Sequence, residues 1–186
     1  MSDVFAQGQL VTLPEMLAAR EALVQQQRTL LQQGIQTVIS FKLNIPGPIK
    51  QNAALDRIFD YYLAQLQRVL TQAKLPFGLA TKANVATGSY ALLTVAADPL
   101  VVKRQTCLLE QMDPLARLCD FDVLYLKDQQ VHSVHRTRLG LKPRTCLLCG
   151  QEAKLCARSR THSVAEMQVK ISQLYDQFLK QNKGCA

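Results

Sequence analysis

Hydrophobic residues recur at three- and four-residue intervals in three parts of the chain, which is the spacing of a helix with one buried face. The first part covers residues 13–33, with Thr12 as the expected N-cap and Gly34 as the C-terminal stop. The second covers residues 55–73 and the third covers residues 163–180. The pattern therefore predicts an N-terminal, a central and a C-terminal helix.

Shorter segments, rich in β-branched and aromatic residues, predict strands between these helices. The predicted strands lie in residues 37–43, in two segments of 78–97 that flank the turn 87–89, and in the hairpin formed by 121–126 and 131–134. Residues 101–111 fit either a helix or a strand, and residues 139–161 have the composition of a loop. We therefore expect an α+β fold, in which a small mixed or antiparallel sheet of about four to five strands packs with the helices.

Length and composition indicate one domain over residues 1–186. The chain has 186 residues, of which 48% are hydrophobic, and it shows no internal repeat or linker-like stretch. The absence of a run of about 18 apolar residues and of a signal segment predicts a cytoplasmic protein with no membrane partner. Six cysteines in such a chain suit reduced thiols or metal ligands better than a disulfide framework.

The charge balance favours anionic partners. Lys and Arg number 22 against 14 Asp and Glu, which gives a net charge of +8. This admits phosphorylated ligands, acidic proteins and nucleic acid. Aromatic residues make up only 6% of the chain and Trp is absent, so a base-stacking surface has little support and nucleic acid is the weaker candidate.

Asp120 and Asp122 flank Phe121 in the predicted strand 121–126. Alternation along a strand places both carboxylates on one face, where two oxygen ligands suit Mg²⁺. The spacing alone favours an acidic strand edge that faces solvent, but the apolar neighbours favour a partly buried pair that needs a partner. Arg117 is the expected partner, either of the acids or of a phosphate beside the metal.

Cys146, Cys149, Cys156 and His162 bring three thiols and one imidazole into the predicted loop. This composition is compatible with a tetrahedral structural Zn²⁺ site, and the Cys-x2-Cys half carries most of that signal. Free thiols packed under a loop fit the same residues. His162 also fits a position just before the last helix, with Ser163 as its N-cap.

Basic residues are concentrated around this cysteine segment. The group consists of Arg136, Arg138, Lys142, Arg144, Arg158 and Arg160. It fits a clamp on several phosphates, a docking site for an acidic protein, or a solvated loop. Lys50, which follows Pro46-Gly47-Pro48, is a further cation that fits either an anion contact or a solvated charge.

Six segments in their order along the chain carry a family resemblance. They read MLAARE (16–21), PGPIK (46–50), RIF (57–59), PLARLCDFDVL (114–124), PRTCLLC (143–149) and CARSRTHS (156–163). Together they resemble the citrate lyase holo-acyl-carrier-protein synthases, that is, the apo-citrate lyase phosphoribosyl-dephospho-CoA transferases. The resemblance spans nearly the whole chain, and the segments around Asp120 and the cysteines are its most specific parts.

The resemblance implies a nucleotidyltransferase-type enzyme. Such an enzyme transfers 5-phosphoribosyl-dephospho-CoA from triphosphoribosyl-dephospho-CoA to a serine of the apo-acyl carrier protein subunit of citrate lyase and releases diphosphate. On this hypothesis Asp120 and Asp122 hold Mg²⁺ against the triphosphate. The expected phosphate contacts are Lys50, Arg117, Arg144 and Arg158.

Glu110 lies ten residues before Asp120 and is the expected third carboxylate or general base, although a surface acid on a helix fits the same position. Two other functions are compatible with the residues. One is the malonate decarboxylase counterpart, which performs the same chemistry on another carrier. The other is a non-catalytic, zinc-stabilised adaptor that binds nucleic acid or an acidic protein through its arginine-rich cysteine segment.

Overall fold

The three predicted helices are present in the computed structural model, which describes residues 3–182. Thr12 and Glu15 form a capping box at the start of the first helix, and Ser163 and Glu166 form another at the start of the last. Asn52 caps the central helix through its side-chain oxygen. The helices span Leu13–Gln32 (α1), Ala53–Gln72 (α2), Pro99–Leu109 (α3), Ala153–Ser159 (α4) and Val164–Gln181 (α5).

The described strands span Thr37–Leu43 (β1), Phe77–Ala83 (β2), Tyr90–Val95 (β3), Cys119–Lys127 (β4) and Gln130–Ser133 (β5). They form one antiparallel sheet in the order β2-β3-β1-β4-β5. Asp128 and Gln129, both with positive φ, form the tight turn between β4 and β5. The predicted α+β fold is thus confirmed, and the sheet is antiparallel throughout.

The two faces of the sheet are covered by different helices. On one face, the ring of Phe41 stacks on Phe59 of α2 at 4.7 Å and on Phe121 of β4 at 4.5 Å, inside a core that α5 also joins. On the other face, Leu31 of α1 packs with a smaller group that includes Leu124 of β4. Successive residues of β1 and β4 therefore point alternately toward the main core and toward α1.

Most of segment 101–111, which fitted a helix or a strand, belongs to α3, which ends at Leu109, and this helix covers an open edge of the sheet. β5 pairs with β4 only from Leu124 onward, so the first part of β4 has no strand on that side. The buried ammonium of Lys103 donates a hydrogen bond of 2.7 Å to the carbonyl oxygen of Phe121. This contact satisfies a strand-edge acceptor that would otherwise be buried without a partner.

The prediction of a loop throughout residues 139–161 was wrong, because α4 lies within it. α4 has only seven residues, no side-chain hydrogen bond at its N-cap, and a single buried residue, Cys156. It therefore lacks the long apolar stripe by which a helix is predicted from sequence. Separately, no helix within residues 3–182 is long and apolar enough to cross a membrane.

Candidate functional site

Asp120 and Asp122 lie at the start of β4 and share one face of it. Their neighbours Cys119, Phe121 and Val123 point into the main core, so the two carboxylates point to the side that α1 covers. Both acids are partly buried rather than fully exposed. The predicted shared face is therefore present.

Each of the two carboxylates has a distinct neighbour on β1. The Nζ of Lys42 lies 3.7 Å from Oδ2 of Asp120, and the two residues are directly opposite each other in the strand register. Asp122 lies opposite Ser40, whose hydroxyl oxygen accepts a hydrogen bond from Gln27 of α1. Asp120 thus lies beside a lysine, and Asp122 lies beside the hydrogen-bonded pair of Ser40 and Gln27.

Arg117 does not pair with either acid, so its expected structural role beside them was wrong. Its guanidinium donates to the backbone carbonyl groups of Thr145 and Cys146 and to the hydroxyl of Thr145. The reason is local geometry: Arg117 lies in a short 3-10 helix, Leu115–Leu118, and not on the strand that presents the acids. It joins the start of β4 to the cysteine segment instead.

Burial raises the pKa of Asp122, and the neighbouring charge of Asp120 raises it further, while Lys42, Lys103 and Arg144 act in the opposite direction. A divalent cation bound between the two carboxylates would relieve their repulsion. Mg²⁺ takes one or two protein carboxylates and completes its shell with water and phosphate oxygens. Two carboxylates on one strand face fit that requirement.

Cys146, Cys149, Cys156 and His162 come together as a cluster. Their four ligand atoms all lie within 4.8 Å of one another. The Sγ atoms of Cys149 and Cys156 are 3.6 Å apart, and His162 Nε2 is 3.3 Å from Cys149 Sγ. Ligands bound to one tetrahedral Zn²⁺ at its usual bond lengths are separated by about 3.3–3.8 Å. The arrangement fits a structural metal, and the described cysteines are free of disulfides.

Three local structures position these ligands. A small hairpin, closed by hydrogen bonds from Cys146 N to Gln151 O and from Ala153 N to Arg144 O, carries Cys146 and Cys149. α4 carries Cys156, and His162 directly precedes the N-cap of α5. Burial opposes ionisation of Cys146, yet the backbone N–H groups of Leu148 and Cys149 and the adjoining thiols lower its pKa. Such N–H groups favour a thiolate, the form that binds metal.

Within residues 3–182, this cluster is the one group of three or more Cys, His, Asp or Glu side chains whose geometry can hold a metal. Asp120, Asp122 and Glu110 do not come together as a second group of that kind. The predicted zinc ligands are thus assembled, whereas the Asp pair offers two protein ligands.

A cavity of about 790 Å³ lies between the end of α3, the start of β4 and the cysteine hairpin. Arg117, Arg136, Lys142 and Arg144 line it together with Glu110. Its volume is in the range of sites that bind small molecules. Arg136, Lys142 and Arg144, which belong to the basic group around the cysteine segment, therefore contribute to a concave site.

Glu110 follows α3 as its C-cap and is only 4% exposed, so the alternative of a surface acid was wrong. One carboxylate oxygen contacts Nη2 of Arg144, and the other lies 3.6 Å from Nη1 of Arg136. Two arginines surround Glu110 on the wall of the cavity.

The remaining predicted phosphate contacts lie outside the cavity wall. Lys50 donates a hydrogen bond of 2.5 Å to the carbonyl oxygen of Ile45, and burial lowers the pKa of its ammonium. Arg158 is exposed on α4. The structure thus brings together Arg117 and Arg144, but not all four predicted cations.

Two residues of this region were not predicted individually, Lys42 as a neighbour of Asp120 and Arg136 as a partner of Glu110. Alternation along β1 places Lys42 on the same face as Ser40, which is a usable signal. The pairing register of β1 with β4 was needed to bring it to Asp120. Arg136 lies in a short 3-10 helix, where no periodic pattern indicates its direction.

Comparisons with known proteins agree with the resemblance. Residues 11–178 match the family described as apo-citrate lyase phosphoribosyl-dephospho-CoA transferase. A Streptococcus pyogenes serotype M3 protein named probable apo-citrate lyase phosphoribosyl-dephospho-CoA transferase is 36% identical over 181 residues, covering 97% of this chain and 93% of the relative. An Escherichia coli O1:K1 protein named apo-citrate lyase phosphoribosyl-dephospho-CoA transferase is 32% identical over 163 residues, covering 88% and 87%.

The family match and the names of these relatives indicate an enzyme of the transferase class, as predicted. More specifically, the chain belongs to the apo-citrate lyase phosphoribosyl-dephospho-CoA transferase family. The matches support the citrate lyase function over its malonate decarboxylase counterpart. They also support a transferase over the non-catalytic adaptor.

Proposed function

We propose that this chain transfers 5-phosphoribosyl-dephospho-CoA from triphosphoribosyl-dephospho-CoA to a serine of the apo-acyl carrier protein of citrate lyase. The serine Oγ forms a bond to the α-phosphorus, the bond from that phosphorus to the diphosphate breaks, and the serine proton passes to solvent water. The products are a phosphodiester on the carrier and free diphosphate. The observation that carries the proposal is a family match extending over residues 11–178, which include both the Asp pair and the cysteine cluster.

In this proposal Asp120 and Asp122 hold Mg²⁺ at the start of β4. Support comes from their shared face and from the burial and mutual repulsion that raise the pKa of Asp122. Bound there, the cation would neutralise charge that develops on the departing diphosphate. Strand β4 is held between β1 and the edge-covering α3, so the two carboxylates keep a fixed spacing while the ligand changes.

We assign the phosphate contacts to Arg117 and Arg144 on the cavity wall, with Lys50 and Arg158 as outer contacts. Arg117 and Arg144 already have protein partners, yet a guanidinium has five donors in a fixed fork and keeps others for a phosphate. Lys50 and Arg158 lie outside that wall and would meet a longer ligand or the carrier. The free thiols of the described cysteines suit the reduced cytoplasm, where we place the reaction.

We also propose that Cys146, Cys149, Cys156 and His162 bind one structural Zn²⁺. Four protein ligands complete a tetrahedral shell and leave no open position, which is the arrangement of structural zinc sites. Zinc there would fasten the cysteine hairpin, α4 and the start of α5 to one point. The hairpin also forms part of the cavity wall. Zinc bound at the cluster would therefore hold this part of the wall in place without contacting the substrate.

Mass spectrometry of the carrier tests the transfer directly. The purified chain is incubated with apo-acyl carrier protein of citrate lyase, triphosphoribosyl-dephospho-CoA and Mg²⁺, and the carrier mass is followed. We expect the mass of the prosthetic group to be added at one serine, and a carrier with that serine changed to alanine to stay unmodified. An unmodified wild-type carrier would contradict the proposal, and faster modification of an apo-carrier of malonate decarboxylase would reassign the partner.

A further inference from the structure

The large cavity is lined by a partly buried cluster of charges, of which Glu110 and Arg136 have no role in the transfer reaction as proposed. Glu110 is 4% exposed and touches Arg144 and Arg136, whose side chains are 30% and 19% exposed. A single carboxylate thus faces two guanidinium groups, and the trio keeps a net charge of +1. Buried charges of this kind are costly unless they are fully paired.

The pairing within this trio is incomplete. Arg136 Nε is buried and donates to no group of the described chain, and Glu110 Oε1 has the ion contact with Arg144 without a well-aligned hydrogen bond. Unsatisfied buried polar groups are rare in native proteins and ask for an explanation. An anion that enters the cavity supplies an acceptor for guanidinium donors on its wall.

Other side chains of the cavity wall also favour an anionic ligand. Arg117 and Lys142 line it as well, so four cations face a space of about 790 Å³. Leu118, Leu147 and Met167 provide an apolar portion of the wall. A cavity with clustered cations and an apolar side suits a ligand that carries several linked phosphates next to a less polar group.

Position links this cavity to the Asp pair. Leu118 and Asn44, which is hydrogen-bonded to it, lie on the cavity wall at the end of the sheet where β4 begins. Asp120 follows Leu118 by two residues, and Arg144 is close enough to Asp122 to interact with it electrostatically. The cavity therefore lies at the end of β4 that carries the two carboxylates, but neither carboxylate lines it.

We propose that this cavity is the polyphosphate-binding pocket of the enzyme, with Arg136 and Lys142 as substrate contacts and Glu110 as a positioning residue. Glu110 holds Arg136 and Arg144 against the wall and so presents their donors to linked phosphates. Its buried carboxylate acts through these arginines and takes no proton from the carrier serine. This inference rests on the proposed function for the identity of the natural ligand, but the pocket itself is testable without the transfer reaction.

Binding of inorganic triphosphate, measured by calorimetry without divalent cations on the full chain, tests the pocket. We expect saturable binding that inorganic sulfate displaces only weakly. Arg136→Gln should weaken it about tenfold or more, and Lys142→Ala by a smaller factor, since each removes one charge-assisted contact. Arg104→Gln is the matched control, because Arg104 is an exposed arginine of α3 that does not line the cavity.

The variants also separate a positioning role from a merely structural one. Lys142 is exposed and has no part in the buried trio, so Lys142→Ala keeps the test valid if Arg136→Gln fails to fold. For Glu110, Glu110→Asp should restore most of the triphosphate affinity that Glu110→Ala loses, and in the transfer assay Glu110→Ala should raise the KM for the precursor more than it lowers kcat. A loss of kcat alone would instead indicate the acid–base role and contradict positioning.

The outcomes distinguish this inference from the proposed function. If triphosphate binds as expected but the carrier is never modified, the pocket stands and the transfer is wrong. If the carrier is modified but Arg136→Gln and Lys142→Ala bind triphosphate as tightly as Arg104→Gln does, the pocket assignment is overturned. Equal displacement by sulfate would also overturn it, because the site would then be a general anion site only.

Discussion

The Asp pair and the cysteine cluster are both candidate metal sites, yet the fold builds them in opposite ways. Asp120 and Asp122 offer two ligands on a rigid strand, with Lys42 beside them. The cluster offers four ligands from a hairpin, a short helix and a helix start. A site with few protein ligands keeps positions for substrate, whereas a filled tetrahedral shell holds structure together. In the proposed function, this difference places the catalytic metal at the strand and the structural metal at the cysteine cluster.

The sharpest test of this division is neutralisation of the Asp pair. Asp120→Asn and Asp122→Asn keep size and shape but remove a charge that we expect to hold the cation, so the rate of carrier modification should fall about 10³-fold, equivalent to ~4 kcal/mol. The rate is followed by mass spectrometry of the carrier, with zinc content and thermal unfolding measured alongside. Asp128→Asn is the matched control, since Asp128 lies in an exposed turn where Asn tolerates the positive φ. If both variants modify the carrier at near-normal rates, Asp120 and Asp122 take no part in the transfer reaction.

The complementary change is the loss of a cluster ligand. Cys149→Ser should abolish stoichiometric binding of zinc. If the dissociation constant for zinc is about a thousandth of the free zinc concentration, the free energy of unfolding should fall by about 4 kcal/mol. This corresponds to a Tm lower by about 10 °C. Metal analysis and thermal unfolding are the measurements. Cys107→Ala, a buried thiol outside the cluster, should keep the zinc. If Cys149→Ser and wild type contain equal metal, the cluster is a group of free thiols.

A smaller effect concerns the pH dependence of stability in the absence of divalent cations. The folded-state pKa of Asp122 is raised, so folding favours its protonated form, and the stability of the wild type falls as the pH rises from the ordinary Asp value through the raised one. Asp122→Asn has no such ionisation. We therefore expect the variant to be the more stable protein at pH 7 in magnesium-free buffer without chelator, and the advantage to vanish below about pH 4. Thermal unfolding across this range checks the sign, and a lower Tm for the variant at pH 7 would show that the charged carboxylate is stabilising.

The smallest expected effect is at Lys42. Its ion pair with Asp120 is 3.7 Å long, and the side chains are 43% and 33% exposed, so Lys42→Ala should change the free energy of unfolding by less than about 1 kcal/mol. Removing the competing cation should, however, tighten binding of Mg²⁺ to the Asp pair severalfold. Titration with Mg²⁺ measures this, and Lys82→Ala, which removes the exposed pair with Asp60, is the control. If Lys42→Ala binds Mg²⁺ with unchanged affinity, Lys42 does not compete with Mg²⁺ for Asp120 and Asp122.

Much of the fold was predictable because it rests on local signals. The helix around residues 13–33 carries its capping residues and its stop in the sequence, and the structure ends it within one residue of the prediction. Alternation alone placed Asp120 and Asp122 on one face of a strand. The predicted hairpin of β4 and β5 was confirmed for the same reason, since a tight polar turn separates two apolar segments.

The site was less predictable because it depends on contacts distant in sequence. Glu110 meets Arg144 across 34 residues of chain, and Arg117 meets Thr145 across 28. Spacing along the chain carries no information about such encounters. The cysteine cluster was an intermediate case, since residue types and short separations predicted its members, but a short helix unseen in the sequence brings Cys156 to the others.

The dependence of the transfer on Mg²⁺ is the most direct test of whether the Asp pair binds the catalytic metal while the cysteine cluster binds a structural one. The chain is purified with its zinc retained, and modification of the apo-carrier is followed by mass spectrometry in resin-treated, metal-free buffer, with and without added Mg²⁺. We expect no modification until Mg²⁺ is added and an unchanged zinc content throughout. Full-rate modification without Mg²⁺ by the zinc-loaded chain would contradict it.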